Sequence, residues 1–181
     1  MGFPWSSRRT KIDPLHTVAP AMNAPLLSEA VWSPEPNDTK VFTDAPKGSS
    51  YLEGCSQSGH LSLKNQPSDA TFASIAVDIP REIRNRLTRR HILRTGVTLQ
   101  TPNDLMAFAR LNLRHGPDTD ILARSIARPN GPCTVDFDLS TTWIGERPLQ
   151  HAWLDLIFEN PSDTTIEMAG MTLSVRPRAL F

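Results

Sequence analysis

From residue 39 onward the chain is written in short apolar runs, each closed by Pro, Gly, Asn, Asp or Ser before it grows long. That rhythm constrains the fold more than any other feature. An amphipathic helix needs apolar residues three and four apart over ten or more positions, whereas runs this short, bounded by turn residues, suit strands. Candidate strands cover residues 39–43, 50–54, 59–64, 71–79, 91–100, 105–114, 132–139, 150–159 and 164–176. Alternation is clearest at Val135, Phe137 and Leu139, which are expected to face inward while Thr134, Asp136 and Asp138 face water. Leu154, Leu156 and Phe158 form a second inward set, with Asp155 and Glu159 outward.

Turns are placed by His115-Gly116-Pro117-Asp118, Pro129-Asn130-Gly131-Pro132 and Asn160-Pro161-Ser162-Asp163. Ala169-Gly170 interrupts the last strand and marks a bulge or bend. The one helix candidate spans about 80–88, with Pro80 in its first turn and Ile83 and Leu87 on one face. No fixed-period repeat is visible, which removes propellers and solenoids. The expected fold is all-β: a jelly-roll-like antiparallel β-sandwich over residues 39–181 with one short helix.

Residues 1–38 differ. Pro4, Pro14, Pro20, Pro25, Pro34 and Pro36 punctuate them, and their apolar residues follow no period. They read as an extended, polyproline-like arm without a core of its own, in which Trp5, Arg8, Arg9 and Trp32 are the candidate assembly residues. No apolar stretch follows Arg8-Arg9, so no export signal is expected. Met1-Gly2 with Ser6 fits the short myristoylation pattern and is read as a chance match. No run approaches the roughly 20 apolar residues of a spanning helix, so no membrane role is expected.

Nineteen basic and nineteen acidic residues balance to zero, which removes the global field that draws chains to nucleic acid or acidic lipid. Arg81, Arg84, Arg86, Arg89, Arg90 and Arg94 are nonetheless crowded together, opposed locally by Glu82. They form a solvated, internally paired face or a grip for anionic groups, for which Arg84, Arg89 and Arg90 are the candidates. Nucleic acid is disfavoured because no aromatic residues interleave with them. Asp155, Glu159, Asp163 and Glu167 make an acidic counterpart, able to meet the arginines in another copy or within one chain.

Trp143, in the loop-like stretch Thr141–Gly145, is the aromatic candidate for stacking on a sugar; Trp153, out of phase with Leu154 and Leu156, faces outward or fills the second sheet interface, and core packing is the favoured reading. The five histidines show no metal-ligand spacing, and Asp118/Asp120 and Asp136/Asp138 read as ordinary strand and turn carboxylates rather than calcium ligands. Cys55 and Cys133 read as two ordinary thiols, a single bridge remaining open. No nucleophile elbow, phosphate loop, dinucleotide fingerprint or zinc-protease helix occurs. No enzyme activity, cofactor or metal is expected.

Four segments in order, Arg89–Arg94, Phe108–Asn112 with His115–Thr119, Ala152–Phe158 and Arg176–Ala179, resemble an uncharacterised family of Rhodobacter-group alphaproteobacteria over residues 39–180. The resemblance implies a lineage, bacterial or phage, and no activity; the arm departs from it. Lineage and arm together lead to the expectation of a non-enzymatic surface component of a virion or phage-like particle: a head decoration, spike or fibre-base subunit. Its arm would dock on other subunits, and the chain would form homo-oligomers. The alternative is a carbohydrate-binding β-sandwich that recognises cell-surface polysaccharide through Trp143 and the arginines. A third reading is a bacterial cytoplasmic housekeeping protein.

Overall fold

The computed structural model describes residues 28–32, 39–47, 49–55, 60–102 and 105–179. Within them the chain forms β1 (Ser28–Trp32), β2 (Thr39–Thr43), β3 (Ser50–Cys55), β4 (His60–Asn65), β5 (Phe72–Asp78), α1 (Arg81–Arg84), β6 (His91–Gln100), β7 (Ala107–His115), β8 (Asp118–Ile126), β9 (Gly131–Asp138), β10 (His151–Glu159) and β11 (Thr164–Pro177). Two antiparallel sheets result. One runs β3-β4-β11-β6-β9, with β1 added beside β11; the other runs β2-β5-β10-β7-β8. Consecutive strands change sheet except at the β3–β4 and β7–β8 hairpins, so the two layers are interwoven in jelly-roll fashion.

Period-2 side chains explain the layering. Ala152, Leu154, Leu156 and Phe158 of β10 point inward with Leu111 and Leu113 of β7 and Ile75 and Val77 of β5; Leu93, Leu99, Val135, Phe137, Ile166 and Leu173 face them from the other sheet. Burying each such side chain contributes about 1.5–3 kcal/mol. The inward sets expected in β9 and β10 are among these residues, except that Leu139, also buried, opens the 3-10 turn after β9 rather than ending the strand.

Local chemistry sets the turns and breaks. Gly116, at φ 64°, is the first central residue of the two-residue β7–β8 hairpin, where only a residue free of Cβ crowding turns the chain at low cost. Gly170, at φ 56°, carries the β11 register shift between Ala169 and Met171, the bulge expected at that step. The helix is shorter than 80–88. After Arg84 the bonds Arg86 N–H to Ile83 O and Leu87 N–H to Arg84 O are of the tighter i,i+3 kind, and β6 begins at His91. Ile83 and Leu87 are both buried, as their spacing implied.

Two strands were absent from the sequence reading. β8 has Asp118, Asp120 and Arg124 at inward-phase positions, which hides its alternation. β1 lies among prolines, yet Ser28–Trp32 pairs with Met171–Val175 on the side of β11 whose first half pairs with β4. Trp32 is thus placed opposite Met171, while its side chain, and Trp5, Arg8 and Arg9 altogether, lie outside the described residues.

Cys55 and Cys133 belong to strands at opposite ends of the β3-β4-β11-β6-β9 path. Four strand spacings of ~4.8 Å put them about 19 Å apart, beyond any disulfide. The Cys133 thiol is buried, which raises its pKa, and it donates to Arg128 O at 3.2 Å.

Asp44 ties the end of β2 to the start of β5. Its carboxylate accepts the Thr71 N–H at 2.9 Å, the Thr71 hydroxyl at 2.5 Å and the Phe72 N–H at 3.3 Å. Partial burial works to raise its pKa, but the bonds from Thr71 and Phe72 outweigh it and hold the carboxyl below its ordinary value. A carboxyl with a depressed folded pKa stabilises fully above its unfolded pKa and loses that contribution as pH falls through the folded one. Asp44→Asn is expected to cost less than about 1 kcal/mol at neutral pH, because the group is exposed, and to flatten the acid limb of stability measured by urea unfolding. Equal acid sensitivity in both proteins would contradict this.

Candidate functional site

The two sheets present different outer faces. On the six-stranded sheet the described outward side chains are mostly small or charged. Arg94 meets Asp136 through Nε (2.7 Å) and Nη2 (2.8 Å), and Arg176 reaches the same carboxylate at 2.6 Å. Asp136 hydrogen-bonding to Arg94 raises the arginine's pKa further. Among the described side chains of that face, these charges are engaged with one another.

The outer face of the five-stranded sheet is apolar and polar in bands. Strand register places Phe42, Ser74, Ile157, Phe108 and Ser125 in one row across all five strands. The next row is Lys40, Ala76, Asp155, Arg110 and Ala123; the one after it contains Asp78, Trp153, Asn112 and Ile121. Each full row is about 19 Å wide and rows lie about 6.8 Å apart. Phe42 and Ile121 are exposed at 51% and 42%, and Trp153, Phe108, Ile157 and Phe72 are half-buried.

At the centre Asp155 is only 2% exposed. Its Oδ2 accepts Arg110 Nε (2.9 Å), Arg110 Nη2 (2.8 Å) and Asn112 Nδ2 (2.9 Å). A buried carboxylate persists only with such partners. In return it fixes the Arg110 and Asn112 side chains in the plane of the face. Trp153, expected in the core, faces outward here and stacks on His151 with ring centroids 5.2 Å apart. The cause is phase: Leu154 and Leu156 take the inward positions, leaving the indole outside. His151 in turn contacts Asp78 at 3.1 Å.

Trp143 and the arginines meet elsewhere, at the sandwich end where β5 and β7 finish and β8 and β10 begin. A single 3-10 turn, Leu139–Thr141, leads into this loop, started by the Asp138 carboxylate accepting Ser140 N–H at 2.9 Å. Trp143 is 46% exposed, its backbone N–H donates to Asp120 Oδ2 at 2.6 Å, and the Arg147 guanidinium lies 5.2 Å from its ring centre, covering one face. Buried His115 sits 3.2 Å from the same Asp120, out of line for a hydrogen bond. Arg147 pairs with Asp118. Arg89 pairs with Glu146 and donates Nε and Nη2 to Ser140 O at 3.1 and 3.0 Å. Arg90 supplies its carbonyl to Arg178 N–H at 2.7 Å, and its side chain is exposed. Arg84 lines a cleft beneath this loop.

The charged segments are thus engaged within the chain, though not with each other: Arg89 and Arg94 meet Glu146 and Asp136, while Asp155 and Glu167 meet Arg110 and His60. The carboxylates weighed as calcium ligands bond to Arg147, Trp143, Arg94, Arg176 and Arg178. Among the described residues no group of three or more His, Cys, Asp or Glu is placed to hold a metal.

Residues 60–181 match a family of unknown function, DUF6478. The chain belongs to this family. The match agrees with the resemblance to an uncharacterised family, begins at β4 rather than residue 39, and gives DUF6478 no activity. No curated protein is significantly similar in sequence. Solved structures similar to this DUF6478 chain include TmCBM61 in complex with β-1,4-galactotriose, at 8% identity and TM-score 0.44, covering 78% of this chain and 90% of that one. Another is the C-terminal family 22 carbohydrate-binding module of Clostridium thermocellum Xyn10B, at 10% and 0.46, covering 89% and 100%. The enzymatically active domain of tailspike protein 4 from bacteriophage CBA120 matches at 8% and 0.48, covering 81% of this chain and 20% of that one. Identities and scores this low describe a general likeness of sandwiches and assign neither ligand nor location.

Proposed function

We propose that the chain is a non-enzymatic carbohydrate-binding module whose ligand lies across the outer face of the five-stranded sheet. The observation that carries this reading is the banding of that face: a row with Lys40, Asp155 and Arg110, its guanidinium oriented by Asp155, between rows bearing Phe42, Phe108 and Ile157 on one side and Trp153 and Ile121 on the other. A protein interface has the opposite plan, with an apolar centre and a polar rim. A sugar ring needs aromatic surface for its C–H face and fixed planar donors for its hydroxyls, within one ring's reach of each other. Arg110 is held in place before a ligand arrives, with Nε and Nη2 on Asp155 and Nη1 left for a hydroxyl, so little ordering cost remains to be met on binding; Asn112, 3% exposed, spends its amide on Asp155 and backbone carbonyls and braces the row from beneath.

The particle-surface reading relied on an arm free to dock. Part of that segment, Ser28–Trp32, pairs with β11 of its own chain, so a docking role would fall to residues outside the described set.

A glycan array followed by titration tests the proposal. Trp153→Ala is expected to weaken binding at least ~10-fold with the melting temperature nearly unchanged, because the indole is outside the core. Absence of saturable binding to any glycan, or a loss confined to Trp143→Ala, would overturn the assignment to this face.

A further inference from the structure

A second site lies at the end of the sandwich. Between α1 and the loop after Trp143 is an open cleft of about 530 Å³, floored by buried Leu87 and Ile144 and walled by Arg84, Glu146, Arg147 and Leu149. Its charges can be counted. Glu146 is neutralised by Arg89, and Arg147 is balanced by Asp118. Arg84 has neither hydrogen bond nor ion pair from any described side chain, and its Nε is buried without a partner. That Nε is closed to a ligand as it is to solvent, so the donors a ligand would meet are the terminal Nη groups, which have no partner among the described residues. Arg86, Arg89 and Arg94, its neighbours in sequence, have partners, and Arg81 and Arg90, both exposed, lie outside the cleft lining.

We infer that this cleft binds a carboxylate carried on a small ring, with Arg84 as its anion-binding residue. One uncommitted positive charge suits a monoanion and opposes a dianion such as a phosphate monoester, which would face Glu146 with its second charge uncompensated. The guanidinium fork offers two parallel donors to a planar carboxylate. Leu87 and Ile144 offer an apolar floor for a ring face, and the volume takes one or two sugar-sized rings. The class of ligand is a hexuronic acid, terminal or free. The choice of a sugar as the carrier rests on the proposed function; the preference for a single carboxylate does not.

Isothermal titration of the full chain with glucuronate, glucose and glucose 6-phosphate tests this. Saturable binding of glucuronate, none of glucose, and weaker binding of the phosphate are expected. Arg84→Gln should weaken glucuronate at least ~10-fold, and Arg84→Lys, which keeps the charge and loses the fork, should fall between. Both variants should melt no lower than the parent, since the side chain they replace has no partner to lose. Trp153→Ala, which tests the sheet face, should leave glucuronate binding intact. Glucose binding equal to glucuronate, tighter binding of the phosphate, no effect of Arg84→Gln, or loss in Trp153→Ala would each overturn the site. No glucuronate binding with glycan binding at the sheet face preserved would remove this inference alone.

Discussion

Phe158→Ala is expected to destabilise the domain by about 4 kcal/mol and to lower its melting temperature by about 12 °C. Phe158 is fully buried on β10, the central strand of the five-stranded sheet, with Ala107 of β7 and Ala73 of β5 as its cross-strand neighbours. Those alanines are too small to move into the space a phenyl ring leaves, so the cavity stays open and adds to the lost transfer energy. Chemical unfolding should show a lower midpoint with an unchanged slope, because the surface exposed on unfolding is nearly the same. A loss under about 1 kcal/mol would mean that the two sheets collapse onto the gap. Well below its melting temperature the variant should bind glycan as the parent does, because the ring is on the core side of the strand.

Asp155→Ala acts on the other side of that strand and should do both things at once. Removing the carboxylate strips Arg110 and Asn112 of a shared acceptor and leaves a part-buried guanidinium without its partner, at a cost of about 3 kcal/mol. That figure is the low end for a broken buried pair, since Arg110 retains 30% of its side-chain exposure. The pair itself need not be a net stabiliser, which the double variant Asp155→Leu with Arg110→Met separates: most of the lost stability should return while glycan binding does not. If the double variant binds normally, the polar row plays no part in recognition. If Asp155→Ala melts with the parent, the three bonds to its Oδ2 carry no weight.

The contrast between Phe158 and Asp155 also shows how far the sequence could be read. In β9 and β10 the inward positions are apolar and their neighbours mostly polar, so Val135, Phe137, Leu154 and Leu156 revealed their strands and faces. β8 kept its secret because charged residues stand at its inward phase near the sandwich end, where Asp118 and Asp120 serve the Trp143 loop. Trp153 is misplaced where core packing is favoured for the indole over the outward position; its phase against Leu154 and Leu156 leaves that position open, and the structure takes it. The same signal recurs at Phe108 and Ile157, large apolar side chains at outward positions of strands whose inward positions are already filled. What no sequence pattern states is that Arg110 and Asp155, far apart along the chain, stand directly opposite one another; strand order decides that. At the sandwich end the arginines are legible as a cluster, but which of them are paired and which one lines the cleft depend on the partners and the loop that the fold delivers.

The pairing of β1, β2 and β3 bears on where the folding unit begins. The family match starts at His60, yet β3 covers one side of β4, β2 covers the free side of β5, and β1 covers β11 beyond its bulge. A fragment cut at the edge of the match would carry three stretches of bare backbone amides and carbonyls, each a template for another chain. The matched portion of this chain is therefore a scaffold left unfinished on its flanks, and β1, β2 and β3 before it complete it.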